Sequence, residues 1–182
     1  MPDKTWTRIM EEARTLFSQQ TYGGTSMQQI AQAVGITKAS LYHYHAGKSA
    51  ILSTLVRDPL VELERVLELA SLRREREERR DDVLNGFARV MIAHRQTMGL
   101  LLRDGSVHGE QTAEIRDLFQ VLIDRAMDVL SDGNTGWRRK LLAAQALGAV
   151  TDPVALFADV PADELHVELV RGAHAILALR HH

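Results

Sequence analysis

From Trp6 to Leu179 apolar side chains recur at spacings of three and four residues, and no run of β-branched residues alternates with polar ones. That period belongs to helices, because 3.6 residues per turn bring positions i, i+3, i+4 and i+7 to one face. The expected fold class is all-α. Trp6, Ile9, Ala13, Leu16, Phe17 and Gln20 form the first stripe, closed by Tyr22-Gly23-Gly24. Thr25-Ser26-Met27-Gln28 opens a short second helix, with Thr25 and Gln28 at the spacing of a capping box, and Gly35 stops it. Thr37 is placed to cap a third helix running to about Tyr44; Ala46-Gly47 then breaks the chain before a long fourth helix from Lys48, which Pro59 should bend.

Further on, residues 73–82 are ten consecutive charged side chains, five of each sign. Balanced signs make a poor anion site, so this run reads as a solvated link between the fourth and fifth helices. Leu84, Phe87, Met91, His94, Met98 and Leu101 would lie on one helix from Val83 to Leu102, although Gly99 permits a break near Arg95–Thr97. Asp104-Gly105 and His108-Gly109 mark a turn region, and a further helix carries Ile115, Leu118, Phe119, Leu122, Ile123, Ala126 and Leu130. The last two helices are apolar on more than one side. Leu141–Val150 has Gln145 as its single polar residue; Leu165, Leu169, Gly172, Ala173 and Ile176 line one face of the final helix, with Val170 and Leu177 on another. Such helices need two partners, either as the centre of the core or in a four-helix seam between two copies of the chain. For that seam the expected residues are Leu141, Gln145, Gly148, Leu165, Leu169, Gly172, Ala173 and Ile176.

Composition removes whole classes of function. The 182 residues contain no cysteine, which rules out disulfides, thiol-ligated zinc and thiol redox chemistry, and favours the cytoplasm. No apolar stretch is long enough to span a bilayer, and Met1-Pro2-Asp3-Lys4 opens no leader pattern, so no membrane partner is expected. The charge is uneven: the first 50 residues hold five basic against three acidic side chains, the remainder 17 against 21. A positive head on an acidic body points to a polyanion as the partner of the head.

Residues 26–44 have the spacing of a helix-turn-helix. Ala31 is small where two helices cross, Gly35 makes the turn four residues later, and Ile30, Val34, Ile36 and Leu41 supply a small core. The second helix then exposes Lys38, Ala39, Ser40, Tyr42 and His43. Short side chains at its start allow approach to major-groove base edges, while Tyr42, His43 and Tyr44 can reach flanking phosphates. Taken singly, Thr37 could be a cap, Tyr44 a packing residue and Lys38 a solvated charge; the spacing of the set is what carries the reading.

Residues 6–55 resemble the N-terminal DNA-binding domain of TetR-family transcriptional regulators, above all Thr25-Ser26-Met27-Gln28-Gln29-Ile30-Ala31, Gly35-Ile36-Thr37-Lys38-Ala39-Ser40-Leu41-Tyr42-His43-Tyr44 and Gly47-Lys48. Leu156-Phe157-Ala158-Asp159-Val160-Pro161-Ala162 before an apolar helix is also similar to many members. The resemblance implies a three-helix helix-turn-helix DNA-binding domain at residues 1–47 and a helical effector-binding and dimerisation domain at 48–182. It implies a homodimer on a double-stranded operator with an inverted repeat, and a small-molecule effector held among helices four to seven. It puts Thr25, Tyr42, Tyr44 and Lys48 on phosphates, and Thr37, Lys38, Ala39 and His43 nearest the bases. Two positions depart from the family pattern: His45 stands where Phe is usual, beneath the third helix, and Thr21 where Gly is favoured.

For the effector pocket the expected residues are Phe87, Met91, His94, Met98, Phe119 and Leu122, an apolar set in which His94 is the best polar candidate, although the reading that it is a satisfied core or helix-end histidine is preferred. Gln145 and Arg103 are further polar candidates. The function expected is a repressor released from its operator by a small, mostly apolar ligand, the alternative being a constitutive DNA-binding dimer with a fully packed body. An enzyme is not expected, nor a metal or other cofactor. His43 and His45 point in different directions on a helix with no carboxylate nearby, and no nucleophile elbow, phosphate loop or His-Glu-x-x-His run occurs. His181-His182 are given no role.

Overall fold

The computed structural model describes residues 4–179; Met1-Pro2-Asp3 and Arg180-His181-His182 lie outside them. Every regular element among the described residues is helical: α1 (Lys4–Gln20), α2 (Met27–Val34), α3 (Lys38–Tyr44), α4 (Lys48–Ser71), α5 (Arg76–Ala93), α6 (Arg95–Arg103), α7 (Ala113–Leu130), α8 (Trp137–Thr151) and α9 (Ala162–Leu177), with short 3-10 turns at Gly105–His108, Glu110–Thr112 and Pro153–Ala155. None of these helices is long and apolar enough to cross a membrane.

They gather into two compact units. One takes the chain up to Asp58 together with Gln96–Asp117, the other Pro59–Arg95 with Leu118 onward. This is not a division at residues 47 and 48. A head of about 47 residues has little surface to bury on its own, and the first turns of α4 and nearly all of α6 belong to the same unit as α1–α3. Its core includes Ile9, Ala13, Phe17, Ile30, Ala31, Leu41, Ile51 and Leu52, all without exposed surface. Each large side chain so buried is worth about 1.5–3 kcal/mol.

In the second unit α8 packs on α9, and α5 packs on both. Gly86 lets α5 approach α4 so closely that a Cβ there would collide with Val66. Arg80 closes the end of α7: its Nε donates to the Leu130 carbonyl at 3.1 Å and its guanidinium pairs with Asp132 at 2.6 Å. A cation at a helix C-terminus complements the dipole there.

Several boundaries differ from the sequence expectations for identifiable reasons. Helix α5 starts at Arg76, inside the charged run. Glu77 and Glu78 occupy its first turn, and the Arg79 guanidinium donates to the Arg73 and Arg74 carbonyls at 3.2 and 3.0 Å, so alternating charge here builds a helix start rather than a link. The expected helix over Val83–Leu102 divides at His94, which is the C-cap of α5. Pro59 lies within α4, which continues to Ser71.

The expected seam residues divide by exposure. Leu165, Leu169 and Ala173 are buried within the single chain, because this stripe of α9 is the one that packs on its own α5 and α8. Leu141, Gln145 and Gly172 are exposed, and Gly148 and Ile176 are half-buried. Val167, which the periodicity did not single out, is 59% exposed.

Candidate nucleic-acid interface

The N-terminus of α2 is fixed one residue later than Thr25. Ser26 is the N-cap: its Oγ accepts from the Gln29 amide at 3.2 Å, and Gln29 Oε1 accepts from the Ser26 amide at 2.8 Å. Both Thr25-x-x-Gln28 and Ser26-x-x-Gln29 satisfy the capping pattern, and the burial of Met27, Ile30, Ala31 and Val34 selects the second phase. Thr25 is buried, and its hydroxyl donates to the Thr21 carbonyl at 2.8 Å. That hydroxyl thus has an internal acceptor, and the exposed hydroxyl at the start of α2 is that of Ser26.

Helix α2 ends at Gly35, whose φ of +76° is the left-handed geometry that glycine adopts without strain. The Ile36 amide then returns to the Ala31 carbonyl at 2.9 Å. Thr37 caps α3 by accepting from the Ser40 amide at 3.0 Å, and its hydroxyl lies 2.8 Å from Ser40 Oγ. Leu41 is fully buried and pins α3 to the unit. Thr37, Lys38, Ala39, Tyr42, His43 and Tyr44 are exposed and Ser40 half-buried, so these sequence-derived residues share the outward side of one short helix and its cap. Tyr42 presents nearly half its surface, with Lys38 Nζ 6.0 Å from its ring centroid.

Beneath α3 lies His45, its C-cap. It is buried, its Nε2 has no hydrogen-bond partner among the described residues, and burial pushes its pKa below the ordinary histidine value. Thr21, the other departure, holds a φ of +67°, a conformation costly for a β-branched residue and natural for glycine.

Lys48 was expected on a phosphate. Its ammonium instead donates to the carbonyls of Tyr22 at 2.6 Å and Thr25 at 2.8 Å, and lies 4.4 Å from the centroid of the Tyr22 ring. That ring packs edge-on against Phe17, with centroids 5.3 Å apart. Burial lowers the Lys48 pKa, while the charge of Asp104 acts in the opposite direction. The first turn of α4 is half-buried at Lys48, Ser49 and Ala50, and the first amides of a helix have no intrahelical partner. The anchors of Lys48 in the turn between α1 and α2 are backbone atoms, which residue types alone do not reveal.

The expected pocket residues do not form one recognisable set. Phe87, Met91 and Leu122 are closed in the core of the second unit with Phe119, whereas Met98 belongs to the first. His94 Nε2 lies 3.0 Å from a carboxylate oxygen of Glu62, which gives this helix-end histidine a partner on α4. Gln145 and Arg103 are exposed. No group of three or more His, Asp or Glu side chains capable of holding a metal ion occurs among the described residues.

Residues 9–55 match the model of the family described as bacterial regulatory proteins, tetR family. Over 50 residues the chain is 42% identical to the biofilm operon icaADBC HTH-type negative transcriptional regulator IcaR of Staphylococcus aureus (strain Newman); the match spans 28% of this chain and 27% of that protein. The chain thus covers about a quarter of the length of the curated relative. Similar folds extend through the whole chain. SCO3833 of Streptomyces coelicolor A3, a TetR-family member, superposes with a TM-score of 0.79 at 22% identity over 95% of this chain and 91% of that one. PfmR of Thermus thermophilus, also a TetR-family regulator, gives 0.75 at 21% identity over 100% of both. AibR, solved in complex with isovaleryl coenzyme A and operator DNA, gives 0.71 at 22% identity over 92% of this chain and 96% of that one.

Proposed function

We propose, from the match of residues 9–55 to the tetR family model, that the chain is a tetR-family, sequence-specific DNA-binding transcriptional repressor, acting in the cytoplasm as a homodimer. The observation that carries the reading is the outward side of α3, where Lys38, Ala39, Tyr42 and His43 stand free of the core around the buried Leu41. In this reading Thr37, Lys38, Ala39, Ser40 and His43 approach base edges, and Tyr42, Tyr44, the Ser26 hydroxyl and the first amides of α4 meet phosphates. A repressor is favoured over an activator by the likeness to IcaR, a negative regulator.

The dimer is supported by apolar or small residues left outward on the last two helices: Leu141 on α8, and Val167 and Gly172 on α9. Two-fold symmetry would set the two heads on an inverted repeat with half-sites about 34–36 Å apart, or a multiple of that spacing. Release by a small, mostly apolar ligand is supported by the isovaleryl coenzyme A bound to AibR, a protein of similar fold. Helix α4 runs unbroken from Lys48 to Ser71, which gives a ligand among the later helices a covalent route to the head. The coupling required is about 1–3 kcal/mol. The second reading, a constitutive binder, is favoured by one observation: the best polar anchor, His94, already has Glu62 as its partner.

Selection of bound duplexes from a random pool tests the proposal. It should enrich an inverted repeat, and enrichment of nothing beyond general affinity for duplex DNA would refute it.

A further inference from the structure

We infer that Asp104 and Ser106 are positioning residues for DNA binding, although they lie 82 and 83 residues along the chain from the turn they hold. The inference rests on the DNA-binding reading of the α1–α2–α3 head. The turn at residues 21–25 has few bonds of its own. The Thr25 hydroxyl reaches the Thr21 carbonyl at 2.8 Å, the Gly24 amide reaches Thr21 Oγ1 at 3.1 Å, the Thr25 amide reaches the Tyr22 carbonyl at 3.4 Å, and Thr21 is held at positive φ. The amides of Tyr22 and Gly23, which none of these bonds uses, are fixed from outside. The Tyr22 amide donates to Asp104 Oδ2 at 2.5 Å and the Gly23 amide to Ser106 Oγ at 2.7 Å. The approach is tight: a Cβ on Gly23 would stand 2.8 Å from Ser106 Cβ.

Tyr22 is thereby gripped at both ends of its backbone, its amide by the Asp104 carboxylate and its carbonyl by the Lys48 ammonium, which also holds the Thr25 carbonyl. Burial works to raise the Asp104 pKa, but hydrogen bonds from the Ser106 side chain and from the Tyr22 and Ser106 amides, with the charge of Lys48, outweigh it and leave the carboxyl below its ordinary value. Thr25 immediately precedes the cap of α2, and Lys48 is the first residue of α4. The cluster therefore fixes the start of α2, on which α3 packs, against the start of α4. Those are the two helix starts assigned to phosphates in the proposed function.

The carboxylate is needed as a double acceptor. Oδ2 takes the Tyr22 amide, while Oδ1 takes the Ser106 amide at 3.0 Å and the Ser106 hydroxyl at 2.5 Å. An asparagine has the same shape but presents an NH2 donor to one of those donors. D104N thus separates positioning by hydrogen bonds from simple space filling.

The experiment uses full-length 15N-labelled protein, the operator obtained by selection on the wild type, and the variants D104N and S106A, the latter removing one exposed hydroxyl. Amide exchange of Tyr22 and Gly23 is measured by NMR, operator affinity by fluorescence anisotropy at fixed salt, and preferred sequence by repeating the selection. D104N should speed exchange at Tyr22 at least about tenfold and weaken operator binding by about tenfold; S106A should speed exchange at Gly23 and weaken binding about threefold. The preferred sequence should be unchanged in both, since the residues facing the bases are untouched. Wild-type operator affinity with faster exchange in both variants would show a turn that does not position the head and would overturn the inference, as would unchanged exchange. A wild type that selects no operator would instead overturn the DNA-binding reading, and the inference with it.

Discussion

Replacing His45 with Phe should make the protein more stable, and the size of the gain should depend on pH. His45 is 7% exposed and its Nε2 meets no acceptor or donor among the described residues. An unsatisfied buried polar group costs about 1–3 kcal/mol, and phenylalanine removes that cost while keeping a ring beneath α3. The backbone bond from the His45 amide to the Leu41 carbonyl, 3.1 Å, survives the change. Some of the gain is lost in fitting the larger ring, leaving about 1–2 kcal/mol near pH 7.5, or about 2–4 °C in Tm per kcal/mol for a chain of this size. Burial lowers the folded-state pKa of His45 below its ordinary value of 6.5, so below that pH the unfolded chain binds a proton that the folded chain refuses. This component of stability is complete above about pH 6.5 and is lost as the pH falls toward the folded pKa, at up to about 1.4 kcal/mol per pH unit. H45F has no such loss. Urea denaturation of both proteins at pH 7.5 and 5.5, followed by circular dichroism, should show a gap that widens on acidification. A gap equal at both pH values, or an H45F protein less stable at pH 7.5, would refute the reasoning.

Thr21→Asn should stabilise the protein by up to about 1 kcal/mol, because asparagine tolerates the left-handed conformation and keeps a side-chain oxygen near the Gly24 amide; a lower Tm would count against strain at this turn. Val167→Asp should yield folded monomers by sedimentation, whereas Leu169→Asp should unfold the chain at a cost of several kcal/mol, since one side chain is outward and the other in the core; folded dimers of V167D would place the seam elsewhere. Lys48→Ala should weaken operator binding yet leave the salt dependence nearly unchanged, because the ammonium is committed to the Tyr22 and Thr25 carbonyls. A fall of about one unit in the salt slope would show that it moves onto a phosphate.

What was legible in the sequence divides along physical lines. Periodicity and Gly35, Thr37 and Gly47 identified the three head helices and the outward residues of α3, because local spacing and turn chemistry decide them. The same local signals could not choose between Thr25 and Ser26 as the cap of α2; packing of Met27 and Ile30 decided that. Nor could they tell which stripe of α9 faces its own chain. Leu165, Leu169 and Ala173 repeat like a seam, but they are claimed by α5 and α8. Asp104-Gly105-Ser106 reads only as a turn, and its grip on Tyr22 and Gly23 joins parts of the chain whose contact no spacing encodes.

The central claim is that the outward side of α3 reads DNA sequence. It is tested most directly by repeating the random-pool selection with Thr37→Ala and Lys38→Ala beside the wild type. The account predicts an inverted repeat in each case, with the preferred base changed at one symmetric pair of positions in each variant and a discrimination loss of about 1–3 kcal/mol there. The same preferred site for all three proteins, with affinity lowered uniformly, would contradict it.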